Sequence, residues 1–276
     1  MLFTDWLRLK ESYLFTEADL LDDLIFQLQK YNKTKHFDLG VINRAAYEYL
    51  TKHDDRRNAV QNLLKTDIAT YNQYNAKYKQ LLDMVAQKLS GIGYTFENNG
   101  AWAQYNRNGG KGNAQKDDNM TTKRYVSLDM NDIWKAFQKL PVLGEALNKV
   151  QLRPEADRLS FKVGGNYGTA MEHKDTIVIH FYDKTAGPQI DQAVQTFLNA
   201  AGVKEADRSA FNRVNFGKDS GGTSDSDLIA QRVAKYFEIN KDKIPQMLQI
   251  PDLKQQLKKM IDNISMNSSH RAGVTI

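Results

Sequence analysis

Apolar positions in the first third of the chain recur every three or four residues, the spacing of one helix face. Thr16-Glu17-Ala18-Asp19 resembles a capping start, and Leu20, Leu21, Leu24, Ile25, Leu28 and Tyr31 follow at helical spacing. Val41 to Leu50 predicts a short helix. Val60, Leu64, Ile68, Tyr71, Tyr74, Tyr78, Leu81, Val85 and Leu89 predict one long helix. Tyrosines at such spacing make either a stacking face for nucleic acid or a core stripe with wet hydroxyls. The core stripe is the commoner outcome.

Beyond Gly91 the period changes. Lys123 to Met130 (KRYVSLDM) alternates as a strand does, Arg158 to Val163 (RLSFKV) predicts a second strand, and Asp175 to Asp183 (DTIVIHFYD) a third with an apolar centre. Asn131 to Val150 predicts a helix interrupted at Pro141, and Pro188 to Ala201 an amphipathic helix stopped at Gly202. Ser226 to Phe237 reads as a helix opened by Thr, Ser and Asp, and Leu253 to Ile264 as a last helix before a frayed end. Residues 212–222 read as a loop. The stretch 97–120 is rich in Asn, Gly, Lys and Gln, with Trp102 and Tyr105 embedded. Its NGGKGN core lacks the Walker spacing and the Lys-Ser/Thr ending, so it reads as a mobile loop or a hairpin tip. The switch from period 3.6 to period 2 predicts an α+β fold. The expected parts are a helical subdomain over 1–95, a Gly/Asn-rich mobile loop over 96–120, and an α+β subdomain over 121–276. That last part holds a small, mostly antiparallel sheet flanked by helices, and a C-terminal helix. No internal repeat is present.

Composition narrows the class. With 276 residues the chain is long enough to bury a core unaided. Its 41% hydrophobic and 26% charged residues exclude collagen, a wholly disordered chain and a membrane channel. No run of about 18 apolar residues predicts a membrane span. Cysteine is absent, which excludes a disulfide scaffold, a cysteine nucleophile and thiolate metal sites. The start, MLFTDWLRLKESYLF, lacks the pattern of a Sec signal peptide, so export would use a route without a cleaved signal. A net charge of +5 suits a partner that carries phosphate but is small for a nucleic-acid binder; solubility is its ordinary role.

The five histidines form no HxxxH or HExxH pair and no cluster of metal spacing, so neither metal nor other cofactor is expected. His180, inside an apolar strand, reads as a satisfied core or sheet-face histidine. No GxSxG elbow occurs. The richest segment is RVNFGKDSGGT (213–223), followed by Ser224, Asp225, Ser226 and Asp227 opening a helix. Its glycines admit close backbone approach, and Arg213 and Lys218 suit phosphate. Asp219, Asp225 and Asp227 would repel an anion, and the alternative is an ordinary capped turn. Lys162 lies between Phe161 and Val163 on a strand. It is either an edge residue guarding against aggregation or an amine on a partly dry face, usable as a base.

Together these segments resemble the Hop-A type III effector family of plant-pathogenic bacteria, and more remotely the phosphothreonine lyases of enteric pathogens. The likeness runs from about Lys123 to Phe237. It rests on Lys123-Arg-Tyr-Val126, Phe161-Lys-Val163, Asn166-Tyr167-Gly168, Asp175 to Ile179, and Arg213 through Gly217-Lys218-Asp219-Ser-Gly221. The resemblance implies a β-elimination that removes phosphate from phosphothreonine or phosphoserine. Lys162 would be the base, and Lys123 would offset developing charge. Arg213 and Lys218 would hold the phosphate, with Arg124 a third cation. Tyr125 occupies the place of the lyases' acid histidine, and their further arginine has no counterpart beyond His173 and Lys174. Tyr125 or His173 would then be the acid. The implied partners are a phosphorylated host protein or peptide and a secretion chaperone, with no membrane and no nucleic acid. The alternatives are a non-catalytic phosphoprotein-binding effector, or a phosphoserine/threonine lyase of peptide natural-product biosynthesis.

Overall fold

Leucines at helical spacing bury as one face in α1 (Leu20–Thr34), where Leu20, Leu21, Leu24, Leu28 and Tyr31 are all covered. The structure is a computed structural model; it describes residues 20–52, 54–107, 122–153, 157–206, 216–218 and 224–266. Helix α2 (Leu39–Thr51) starts where the Asp38 carboxylate accepts the Val41 N–H at 3.1 Å. The expected single long helix is two: α3 (Asp54–Thr66) and α4 (Ile68–Ser90). Asp67 divides them. It leaves the helical region (φ −148°, ψ 68°), and its side chain accepts the Thr70 N–H at 3.0 Å. Apolar residues continue at three- and four-residue spacing across this break, so periodicity alone conceals it, although Ile68 itself is 59% exposed.

The remaining elements are β1 (Tyr94–Asn98), β2 (Trp102–Arg107), β3 (Thr122–Val126), α5 (Met130–Phe137), α6 (Leu140–Asn148), β4 (Leu159–Gly164), α7 (Tyr167–Glu172), β5 (Ile177–Phe181), α8 (Gly187–Ala201), β6 (Phe216–Lys218), α9 (Asp225–Ile239), α10 (Ile244–Met247) and α11 (Leu253–Met266). Gly202, left-handed at φ 59°, ends α8. The strands form one antiparallel sheet in the order β1-β2-β4-β5-β3-β6. The fold is α+β, as the change of period predicts.

The stretch 97–120, which reads as a mobile loop or a hairpin tip, holds strand, and so does the expected loop 212–222. Residues 94–98 and 102–107 form a hairpin whose turn is tied by Asn99, which accepts the Ala101 and Trp102 N–H groups at 3.1 and 2.8 Å. The NGGKGN segment lies outside the described residues. Residues 216–218 pair with β3.

Two cores hold the molecule. One packs α3 to α8 on a single face of the sheet, around Phe161, Ile177, Ile179 and Phe181. The other joins α1 and α2 to α9, α10 and α11, around Leu24, Leu28, Ile42, Val233 and Phe237. The N-terminal helices are therefore shared between the two cores. The first two pack with the last three, and α3 and α4 belong with the sheet.

Candidate functional site

Side chains alternate across a sheet, so register decides which residues share a face. Lys123 of β3 pairs with His180 of β5, His180 with Ser160 of β4, and Ser160 with Asn106 of β2. In the adjoining row Tyr125 pairs with Val178, Val178 with Lys162, and Lys162 with Gln104. Members of the two rows differ by two positions on each strand, so both rows lie on one face. The opposite face carries the apolar core.

This polar face is buried. Lys123 is 3% exposed, Lys162 9% and His180 0%, and Tyr125, Ser160, Gln104 and Asn106 are covered as well. With about 4.8 Å between strands, the backbones of Tyr125 and Lys162 stand about 10 Å apart across β5. The two lysines thus flank β5, with His180 between them. Gln104 donates to Asn106 at 2.8 Å, which orders the β2 side of the face. Neither ring nitrogen of His180, nor the Ser160 hydroxyl, has a hydrogen-bond partner among the described residues. Unpartnered buried polar groups are costly, about 1–3 kcal/mol each, and they mark places where a ligand can supply the missing bond.

At one end of the face Lys162 Nζ lies 4.6 Å from the centre of the Trp102 ring. Trp102 in turn packs edge-on against His173 at 4.9 Å. Lys52 pairs with Glu172 at 3.2 Å beside it. Burial, then Lys52 and Lys162, push the His173 pKa down to about 4. Burial, then Lys123 and Lys162, push His180 well below the usual histidine range. Both rings are neutral at pH 7.

The sequence-predicted residues divide. Lys123, Tyr125 and Lys162 come together on the polar face. Arg124, one position from two of them, lies on the other face, 1% exposed. It donates to Asp191 at 3.0 and 2.8 Å and to Glu205 at 2.8 Å, bracing β3 against α8 and the chain that follows it. It also bonds the Tyr125 carbonyl. That brace, rather than phosphate contact, is what its surroundings supply. Lys218 enters the sheet opposite Thr122, with Gly217 opposite Lys123. Arg213 lies outside the described residues. The sequence reading overlooked Ser160, Gln104 and Asn106, and it took His180 as satisfied. Only strand register, which unites residues far apart in the chain, could have gathered them.

Among the described residues, no group of His, Asp or Glu could hold a metal ion, and no helix is long and apolar enough to cross a membrane. The sequence matches no family model, and no curated protein matches it. Among solved structures, the chain is similar to an effector protein from Pseudomonas syringae pv. syringae strain 61. That likeness has a TM-score of 0.38 and 6% identity, over 89% of this chain and 93% of the other.

Proposed function

We propose that the polar sheet face binds a phosphorylated serine or threonine side chain and eliminates its phosphate. The observation that carries this reading is the pair of buried lysines, Lys123 and Lys162, on one face with His180 between them. A cation sheltered from solvent, as Lys123 is, holds a phosphate dianion strongly. Lys162, in its uncharged form, takes the proton from Cα. The electron pair left behind becomes the Cα=Cβ bond, and the Cβ–O bond breaks with its pair passing to the phosphate oxygen. A proton on that oxygen completes the step. The products are a dehydroamino-acid peptide and inorganic phosphate, and no water attacks. Lys123 opposes the negative charge that develops.

Arg213 and Lys218 are the phosphate holders that the lyase resemblance implies, and the resemblance leaves the acid to Tyr125 or His173. The Hop-A resemblance supports a bacterial effector, secreted into a host cell without a cleaved signal and aided by a chaperone. Its substrate is then a phosphorylated host signalling protein. A second reading, a module that binds such a phosphoprotein without catalysis, is favoured by one observation: Tyr125 stands where the lyases have their acid histidine.

The test is incubation with phosphothreonine and phosphoserine peptides, followed by mass spectrometry. Loss of phosphoric acid from these peptides is expected. A phosphotyrosine peptide, whose phosphate sits on an aromatic ring, should be untouched. Binding of phosphothreonine peptide with no change of mass would establish the second reading instead.

A further inference from the structure

We infer that His180, and not Tyr125, donates the proton to the departing phosphate oxygen. This rests on the elimination reading above and names the acid of that same site. The acid must stand near both the phosphate, held beside Lys123, and the base, Lys162. His180 meets both conditions by register: it is paired with Lys123 on one side and lies one row from Lys162 on the other. It is fully buried, and both its nitrogens lack a protein partner among the described residues. A histidine serving only the core would have at least one nitrogen bonded.

Charge supports the same assignment. Lys123 from β3, Lys162 from β4 and the Tyr125 and Ser160 hydroxyls share its face, and its paired neighbours across the sheet include no carboxylate. In the empty site burial, and then the two lysines, disfavour a proton on the ring. A dianion held beside Lys123 offsets that lysine's field and adds an attraction of its own. The ring then gains a proton only when substrate is present, and gives it up as the Cβ–O bond breaks. A phenol, with an ordinary pKa of about 10, is a poor donor at neutral pH. His173 packs on Trp102 beside the Lys162 amine, on the side where the Cα proton is removed rather than beside Lys123.

The experiment compares two leaving groups in the full chain. One peptide carries phosphothreonine. The other carries an O-sulfonyl threonine, whose leaving group departs without a proton. In His180→Gln, kcat for the phosphate peptide should fall by about 10²-fold or more, and the fall with the sulfonate peptide should be at least ten times smaller. Equal falls with both peptides, or no fall with either, overturn the inference. So does a leaving-group-dependent loss in Tyr125→Phe with none in His180→Gln. If wild type eliminates from neither peptide, the elimination reading itself has failed, and that result is seen before any variant is made. Should His180→Gln not fold, the wild-type imidazole is followed by NMR after isotope labelling of histidine. Adding phosphothreonine peptide at pH 7 should move one buried histidine from the neutral to the protonated pattern. An unmoved spectrum with peptide bound overturns the inference.

Discussion

Replacing Arg124 by methionine separates the two faces of the sheet. The methionine fills most of the volume but removes every charge-assisted bond to Asp191 and Glu205. Breaking a buried ion pair from one side costs about 3–5 kcal/mol, because the remaining charge is left uncompensated. Here the side chain of Asp191 is 45% exposed and that of Glu205 19%, so both carboxylates regain some water. The low end, about 3 kcal/mol, follows. Unfolding entropy near 2.1 cal/mol/K per residue gives roughly 0.6 kcal/mol/K for this 276-residue chain, so Tm should drop by about 5 °C. Adding Glu205→Gln to the variant should return part of that loss, since it removes one of the stranded charges. Thermal unfolding followed by circular dichroism measures both effects. Phosphothreonine elimination at 25 °C, where the variant is folded, should stay within about threefold of wild type. An unchanged Tm would refute the brace, and a tenfold or greater loss of turnover in folded protein would return Arg124 to the phosphate site.

Lys162→Ala removes the proton acceptor, so kcat should fall at least about 10²-fold while phosphopeptide affinity changes little, read by single-turnover kinetics and calorimetry. Gly164→Ala should destabilise by about 1–3 kcal/mol, because a Cβ there would come 2.4 Å from the Ala170 nitrogen and 2.5 Å from its Cα, both backbone atoms; an unchanged melting curve would contradict that packing. Acid should weaken the fold through His173. Its proton is bound near pH 6.5 when unfolded and only near pH 4 when folded, so the unfolded chain binds more protons in that window. Stability is unaffected above about pH 6.5 and declines by about 3 kcal/mol on the way to pH 4, with His180 acting in the same direction. Urea midpoints at pH 7.5 and pH 4.5 measure it, and equal midpoints would count against buried neutral histidines.

Periodicity revealed most of the helices and the three central strands, because each has one face in an apolar core. It failed at β2, which sits within a stretch rich in Asn, Gly, Lys and Gln, a composition that reads as turn. Gln104 and Asn106 make β2 look like a loop, although Ala103 and Tyr105 alternate with them toward the core. It failed again at Asp67, where a cap interrupts the backbone and not the stripe. The lyase resemblance drew attention to Lys123, Tyr125 and Lys162, and their parity on the strands agrees with a shared face. The same parity excludes Arg124, since one step along a strand changes face. His180 was visible only as a histidine among apolar residues. Its neighbours Lys123 and Ser160 lie 57 and 20 positions away in sequence, so no local pattern could show the row they form.

Elimination and hydrolysis break different bonds, and labelled water tells them apart. The full chain is incubated with a phosphothreonine peptide in water enriched in oxygen-18, and both products are weighed. Elimination breaks the Cβ–O bond, so the released phosphate should carry no heavy oxygen, and the peptide should hold dehydrobutyrine in place of threonine. Phosphate bearing one heavy oxygen beside an intact threonine, or no phosphate released at all, would contradict the reading of the polar face as a lyase site.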